Sequence, residues 1–139
     1  MHPVNKHIFK KNELVFIDRN NEYHGGQMAI FRGCTTKWAS VSIIEPLNIK
    51  TFMVKINEIT PLNYYLTDTW GGALIMYCFK PNELVYILTD SLAIVKECDN
   101  DSDKVTVTVY RRISPQDITV DRRLLYPLGY MVNPITDGM

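Results

Sequence analysis

Long apolar runs, a net charge, close cysteine pairs and spaced glycines are all missing from this 139-residue chain. The longest apolar stretch, Ala73 to Phe79, falls far short of the roughly 20 residues that cross a bilayer as a helix. The opening Met1-His2-Pro3-Val4-Asn5-Lys6 has no apolar segment of the secretory kind. Lys plus Arg and Asp plus Glu each number 15, so no bulk field gathers nucleic acid or an anionic membrane. The balance barely shifts along the chain: residues 1–79 carry eight basic against six acidic side chains, residues 80–139 seven against nine. Little repulsion therefore keeps copies of the chain apart.

The three cysteines, Cys34, Cys78 and Cys98, are odd in number and widely spaced. That excludes a disulfide framework and points to a reducing compartment. His2, His7 and His24 are the only histidines, and none stands at ligand spacing from a cysteine or a carboxylate pair. With no Cys-x-x-Cys, no His-Glu-x-x-His and no calcium loop, neither a metal nor any other cofactor is expected. Gly71-Gly72, beside Trp70, lacks the Lys-Ser/Thr of a phosphate loop and the third glycine of a dinucleotide loop. These absences describe a soluble, cytoplasmic, non-enzymatic protein with no membrane partner.

What is present is a repeat. Phe9-Lys10-Lys11-Asn12-Glu13-Leu14-Val15-Phe16-Ile17 returns as Phe79-Lys80-Pro81-Asn82-Glu83-Leu84-Val85-Tyr86-Ile87, at an offset of 70. Ala29-Ile30-Phe31-Arg32-Gly33-Cys34 is matched by Ala93-Ile94-Val95-Lys96-Glu97-Cys98 at 64. Val41-Ser42-Ile43 reads against Val105-Thr106-Val107 at the same offset, and Pro61-Leu62-Asn63-Tyr64 against Pro127-Leu128-Gly129-Tyr130 at 66. Four blocks in order, with length changes confined to loop-like stretches, describe a duplicated unit.

Each block reads as a strand. Leu14–Ile17, Gln27–Arg32 closed by Gly33, Ala39–Ile44 stopped at Glu45-Pro46, and Thr51–Ile56 are short, apolar or alternating. Asn57–Thr60 suits one helical turn before Pro61. The second copy supplies Leu84–Leu88, Leu92–Glu97, Lys104–Tyr110 and Ile118–Asp121, then Arg122–Leu125. Such strands in about 55 residues fit a small barrel rather than an immunoglobulin sandwich. The expected fold is all-β: two tandem five-stranded barrels, at 1–66 and 79–139, the second with a loose C-terminal tail from Asn133. Residues 67–78 are a connector whose Leu74–Tyr77 could add a strand. Whether the two units share one sheet stays open.

Glu13–Ile17, the Gly25-Gly26 turn, Met28–Phe31, Val41–Ile43 and Ile56–Leu62 together resemble an SH3-like barrel of the KOW type. An Sm-like barrel is the second resemblance, although Met1–Ile8 is short for the helix that opens that family. The resemblance implies an opening strand, a long loop to a glycine, three further strands, a helical turn and a closing strand. It also implies partners among RNA or the proteins of transcription and translation.

Two sets of residues are candidates for contact. Arg111-Arg112 and Arg122-Arg123 follow the last two strands before the closing one, and a hairpin could bring them together to grip phosphates. Neighbouring Asp99, Asp101, Asp103, Asp117 and Asp121 favour internal pairing instead. Tyr23 and His24 beside the long first loop, Trp38 after a turn, and Trp70 in the connector are the candidates for protein contact. His24 itself reads as a solvated turn residue. Cys34 and Cys98, at matching places, read as small core residues. The function expected is a binding or assembly module acting through protein–protein contact, self-association included. A nucleic-acid-binding barrel using the four arginines is the alternative.

Overall fold

A computed structural model describes residues 7–45, 48–68, 79–88, 91–99, 101–111 and 113–135. The ten strands are β1 (Glu13–Ile17), β2 (Gln27–Cys34), β3 (Trp38–Glu45), β4 (Asn48–Lys55), β5 (Ile59–Asp68), β6 (Glu83–Ile87), β7 (Leu92–Cys98), β8 (Lys104–Val109), β9 (Gln116–Asp121) and β10 (Leu125–Pro134). Single turns of 3-10 helix, Ile56–Glu58 and Arg122–Leu124, precede β5 and β10. No described helix is long and apolar enough to cross a membrane. Leu74–Tyr77 and most of the connector lie outside the described residues.

All ten strands belong to one curled antiparallel sheet, a half-barrel, in the order β4-β3-β2-β1-β5-β10-β6-β7-β8-β9. The sheet is continuous because β5 and β10 pair with each other as well as with β1 and β6. The segment read as a loose tail therefore begins inside a strand. Asn133 pairs with Tyr65 and Pro134 with Tyr64, and the Ile135 N–H donates to the Asn63 carbonyl at 2.8 Å. Proline is tolerated there because the pairing is at the strand's end.

Many pairings of the first five strands recur in the last five. Leu14 pairs with Ile30 as Leu84 pairs with Ile94, and Val15 with Ala29 as Val85 with Ala93. Arg32 is the extra residue of a bulge in β2, and Lys96 is the extra residue at the matching place in β7. Positive φ recurs at Asn12 and Asn82, and at Asn63 and Gly129. The N–H of Asn12 donates to Phe31, that of Asn82 to Val95; the N–H of Leu66 donates to Asn12, that of Val132 to Asn82.

One block equivalence moves. Ile30 pairs with Ser42 and Ile94 with Thr108, so Ser42 corresponds to Thr108, not Thr106. The offset across β3 and β8 is 66, and the second half gains its two residues in the turn after Cys98. A two-residue slip leaves a period-two pattern looking the same, so only the pairing reveals it. With this correction Leu66 corresponds to Val132, and these two residues pair directly. The halves thus meet about a local two-fold centred on the Leu66–Val132 pair.

Burial follows the alternation of the strands. Every residue of β1 is buried, and nearly every residue of β6, so these strands are covered on both faces. Val85, Ile87, Ala93 and Val95 join Val105, Val107 and Val109 in a core belonging to the second half. From the opposite face, Leu84, Leu92 and Ile94 enter the larger cluster together with Leu14, Phe16, Met28 and Ile30 of the first half. Each half therefore does not enclose an apolar centre wholly its own: half of β6 and β7 packs into the shared cluster.

Glu13 and Glu83 are 1% exposed. Each accepts the backbone N–H three residues earlier, of Lys10 at 3.0 Å and Lys80 at 3.1 Å, and Glu13 also meets His7. Buried carboxylates persist only with such partners. The long β1–β2 loop folds onto the 3-10 turn through Asp18 and Asn21, which bond Thr60 and Glu58. Gly25 is required there, because a Cβ would lie 2.6 Å from the Asp18 carbonyl.

Candidate protein-contact surface on the β3–β4 edge

Among the described residues, strand β4 ends the sheet on one side and β9 on the other. The Ile56 N–H donates to the Lys37 carbonyl at 2.9 Å. With Trp38 facing Lys55, this sets the odd residues of β3 and the even residues of β4 as hydrogen-bonded pairs. The backbone N–H and C=O groups of Ile49, Thr51, Met53 and Lys55 consequently turn away from β3, towards the open edge.

The same alternation puts the side chains of Ile49, Thr51, Met53 and Lys55 on one face with Trp38, Ser40 and Ser42. Trp38 is 43% exposed, Ile49 54% and Met53 52%. Trp38 and Met53 are diagonal cross-strand neighbours, within reach of an aromatic side chain. Beside them a depression of about 360 Å³ is lined by Thr36, Lys37, Trp38, Lys55, Ile56 and Asn57. Trp38 follows the Thr35–Lys37 turn, as expected, and is the first residue of β3; its N–H donates to the Thr35 hydroxyl, and its carbonyl accepts the Thr35 N–H.

The second half shows what the fold itself requires at these positions. Lys104 stands where Trp38 does, Thr119 where Met53 does, and Asp121 where Lys55 does. The same geometry is thus built with polar side chains, and the fold places no demand for exposed tryptophan or methionine. The bulge networks differ in kind but not in place. Arg32 donates to Ser42, whose hydroxyl meets Thr51 at 2.8 Å. At the matching positions Lys96 pairs with Asp117, which also accepts the Thr108 hydroxyl at 2.8 Å. The Lys96 ammonium and then Thr108 hold the Asp117 carboxyl below the usual carboxylate range.

Of the four arginines, the three described ones are not brought together. Arg111 lies beside the β8–β9 turn, while Arg122 and Arg123 follow the far end of β9; the six-residue strand between spans roughly 20 Å. Arg123 pairs with Asp121 at 3.3 Å, and Arg122 donates to the Asp99 carbonyl at 3.0 Å. The Arg123 side chain and backbone N–H keep the Asp121 carboxyl below its ordinary range. Arg111 offers its carbonyl to Arg19 at 3.3 Å, linking the first loop to the second half. Arg112 and Trp70 lie outside the described residues.

Tyr23 is 82% exposed, on the loop stabilised by the Asn21 side chain. His24 is half-buried, its ring stacked on Phe52 with centroids 3.7 Å apart. It lines a cavity of about 140 Å³ with Gln27, Glu45, Lys50, Tyr86 and Ser91. That volume is below the roughly 300 Å³ at which ligand pockets begin, and Glu45 and Lys50 pair at 3.2 Å. Cys98 is part-buried, its thiol donating to the Phe79 carbonyl, whereas Cys34 is exposed. The core reading therefore fails for Cys34, because β2 runs on past its bulge into solvent. Among the described residues no group of three or more His, Cys, Asp or Glu could hold a metal ion.

Sequence reasoning missed Ile49 and Met53. Thr51-Phe52-Met53-Val54 has no clean alternation, so nothing in it says which side faces the core. Compared with models of known protein families and with curated protein sequences, the chain matches none.

Proposed function

We propose that this chain is a non-enzymatic binding or assembly module acting through protein–protein contact at the β3–β4 edge. The observation that carries the reading is the difference between two halves of matching geometry: Trp38 and Met53 expose apolar surface where the second half exposes Lys104 and Thr119, and Ile49 adds to that apolar surface. Side chains that packing does not require, grouped beside a depression and an open strand edge, are the usual makings of a contact surface. The repeated hydrogen bonds support a further reading, that both halves descend from one SH3-like five-stranded unit copied in tandem. Neutral charge and a reducing-compartment cysteine pattern suit a cytoplasmic protein.

Nucleic-acid binding through Arg111, Arg112, Arg122 and Arg123 has less support. Arg122 and Arg123 are engaged locally, and the basic residues are spread over both ends of a hairpin. The test is site-specific. A photo-crosslinking aromatic amino acid in place of Trp38 should yield covalent adducts with protein in the native cell extract. The same group in place of Lys104 should not. Equal adduct at both positions, or none at either, refutes the reading. RNA binding that falls steeply with salt and disappears on Arg122→Ala with Arg123→Ala would establish the alternative.

A further inference from the structure

The open edge of β4 is not only a surface but a template with a defined register. We infer that its occupant is a second copy of this chain, joined β4 to β4 in antiparallel fashion about a two-fold axis at Thr51. The inference rests on the contact reading above and names the partner and the pairing.

Only Ile49, Thr51, Met53 and Lys55 offer backbone groups to that edge, and of the two-fold registers that pair these residues with one another only the one centred on Thr51 sets Ile49 against Met53. Centring on Lys55 sets lysine against lysine, and centring on Met53 sets Thr51 against Lys55. Centring on Thr51 sets Ile49 against Met53 twice, with Thr51 facing itself. This register uses the three central edge residues from each copy and opposes no like charges. On the other face Lys50 meets Phe52 of the partner, and the Lys50 charge is already matched by Glu45 at 3.2 Å. Cross-strand apolar pairs of this kind are the unit of sheet stabilisation. Two exposed apolar residues, spaced to meet each other and not themselves, fit a self-complementary interface.

The opposite edge is built against the same event. At β9 the outward backbone groups belong to Asp117, Thr119 and Asp121, because Arg122 donates to the Asp103 carbonyl at 2.7 Å. The register matching the Thr51 one is centred on Asp117 and sets that aspartate against itself, and centring on Thr119 sets Asp117 against Asp121. Charged residues on an edge strand are the ordinary protection against edge pairing. One edge is thus guarded and the other is not.

The experiment uses the full chain in solution. In light scattering, the mass should rise from monomer to dimer with concentration and stop there. Ile49→Lys with Met53→Lys places like charges across the axis and should hold the chain as monomer. Ile49→Glu with Met53→Lys places opposite charges across it and should dimerise again, and its recovery separates a lost contact from a lost fold. Thr51→Cys should oxidise to a covalent dimer in a Cys34→Ser background, since directly paired residues lie about 5.5 Å apart, within disulfide range. Thr119→Cys in the same background should not. A wild-type chain monomeric at every concentration overturns the inference. So do growth beyond dimer, equal crosslinking at Thr51 and Thr119, or failure of the opposite-charge variant to recover while it stays folded. A monomeric chain that still gives protein adducts at Trp38 loses this inference and keeps the contact reading.

Discussion

Replacing Leu66 by alanine probes whether the two halves unfold as one body. Leu66 is 6% exposed, sits in the shared cluster and pairs with Val132 at the centre of the β5–β10 seam. Truncating a leucine this buried costs about 2–5 kcal/mol, counting both lost transfer energy and the cavity left behind. Taking about 3 kcal/mol and a urea dependence of about 2 kcal/mol per molar, the midpoint falls by roughly 1.5 M. The distribution of the effect matters more than its size. Strands β6 and β7 send Leu84, Leu92 and Ile94 into the cluster that Leu66 supports, so both halves should lose stability together. Urea unfolding followed by circular dichroism should remain one transition. Amide exchange should accelerate in β6 and β7 as well as in β1 and β2. The Val132→Ala change should act alike but more weakly. The double variant should cost less than the sum, by about 0.5 kcal/mol or more, because the two residues touch. Two separate transitions, or exchange that accelerates in the first half alone, would refute the single shared core.

Three further outcomes follow from the local geometry. Gly25→Ala forces a Cβ to within 2.6 Å of the Asp18 carbonyl and 2.7 Å of the Asn21 carbonyl, both backbone, and should cost about 1–3 kcal/mol in thermal unfolding. Gly33→Ala meets nothing within 4 Å and should be near neutral, which makes it the control. Glu83→Ala leaves the Lys80 N–H without its carboxylate acceptor in a buried setting and should cost about 1–3 kcal/mol, while Glu83→Gln, which keeps an acceptor, should cost less. Burial, with a hydrogen bond to Tyr64, pushes the Tyr110 hydroxyl from 10.0 to about 12. A folded-state value above the unfolded one means stability complete below pH 10 and lost as pH climbs through about 12. Tyr110→Phe should flatten that alkaline fall, and a steeper fall in the variant would contradict the assignment.

Much of the strand content was legible because burial imposes period two on the residues that pack. Leu14–Ile17 and Leu84–Leu88 announce themselves as apolar runs, and Val105–Val109 as alternation. The helical turn before β5, expected over Asn57–Thr60, lies at Ile56–Glu58, whereas the turn at Arg122–Leu124 went unrecognised. What misled was also periodic: Val41-Ser42-Ile43 fits Val105-Thr106-Val107 as well as it fits Val107-Thr108-Val109. The candidate site was less legible than the fold. Trp38 was singled out as an aromatic after a turn, but Ile49 and Met53 lie in a strand whose composition does not say which side is wet. The arginine pairs stood out by charge alone, and hairpin geometry then put Arg111 at one end of β9 and Arg122 and Arg123 at the other.

Local chemistry by itself determined that this chain forms strands and where most of its turns fall; these depend on neighbours a few residues apart. Tertiary structure alone decided that β5 and β10 fuse the halves into one sheet, that half of β6 and β7 faces a shared core, and that β4 and β9 are left at the edges. Those outcomes turn on which distant backbone groups pair, and a strand's composition carries no record of its partner. Exposure of Trp38, Ile49 and Met53 is a consequence of that pairing, which is why the surface became visible only once the sheet order was known.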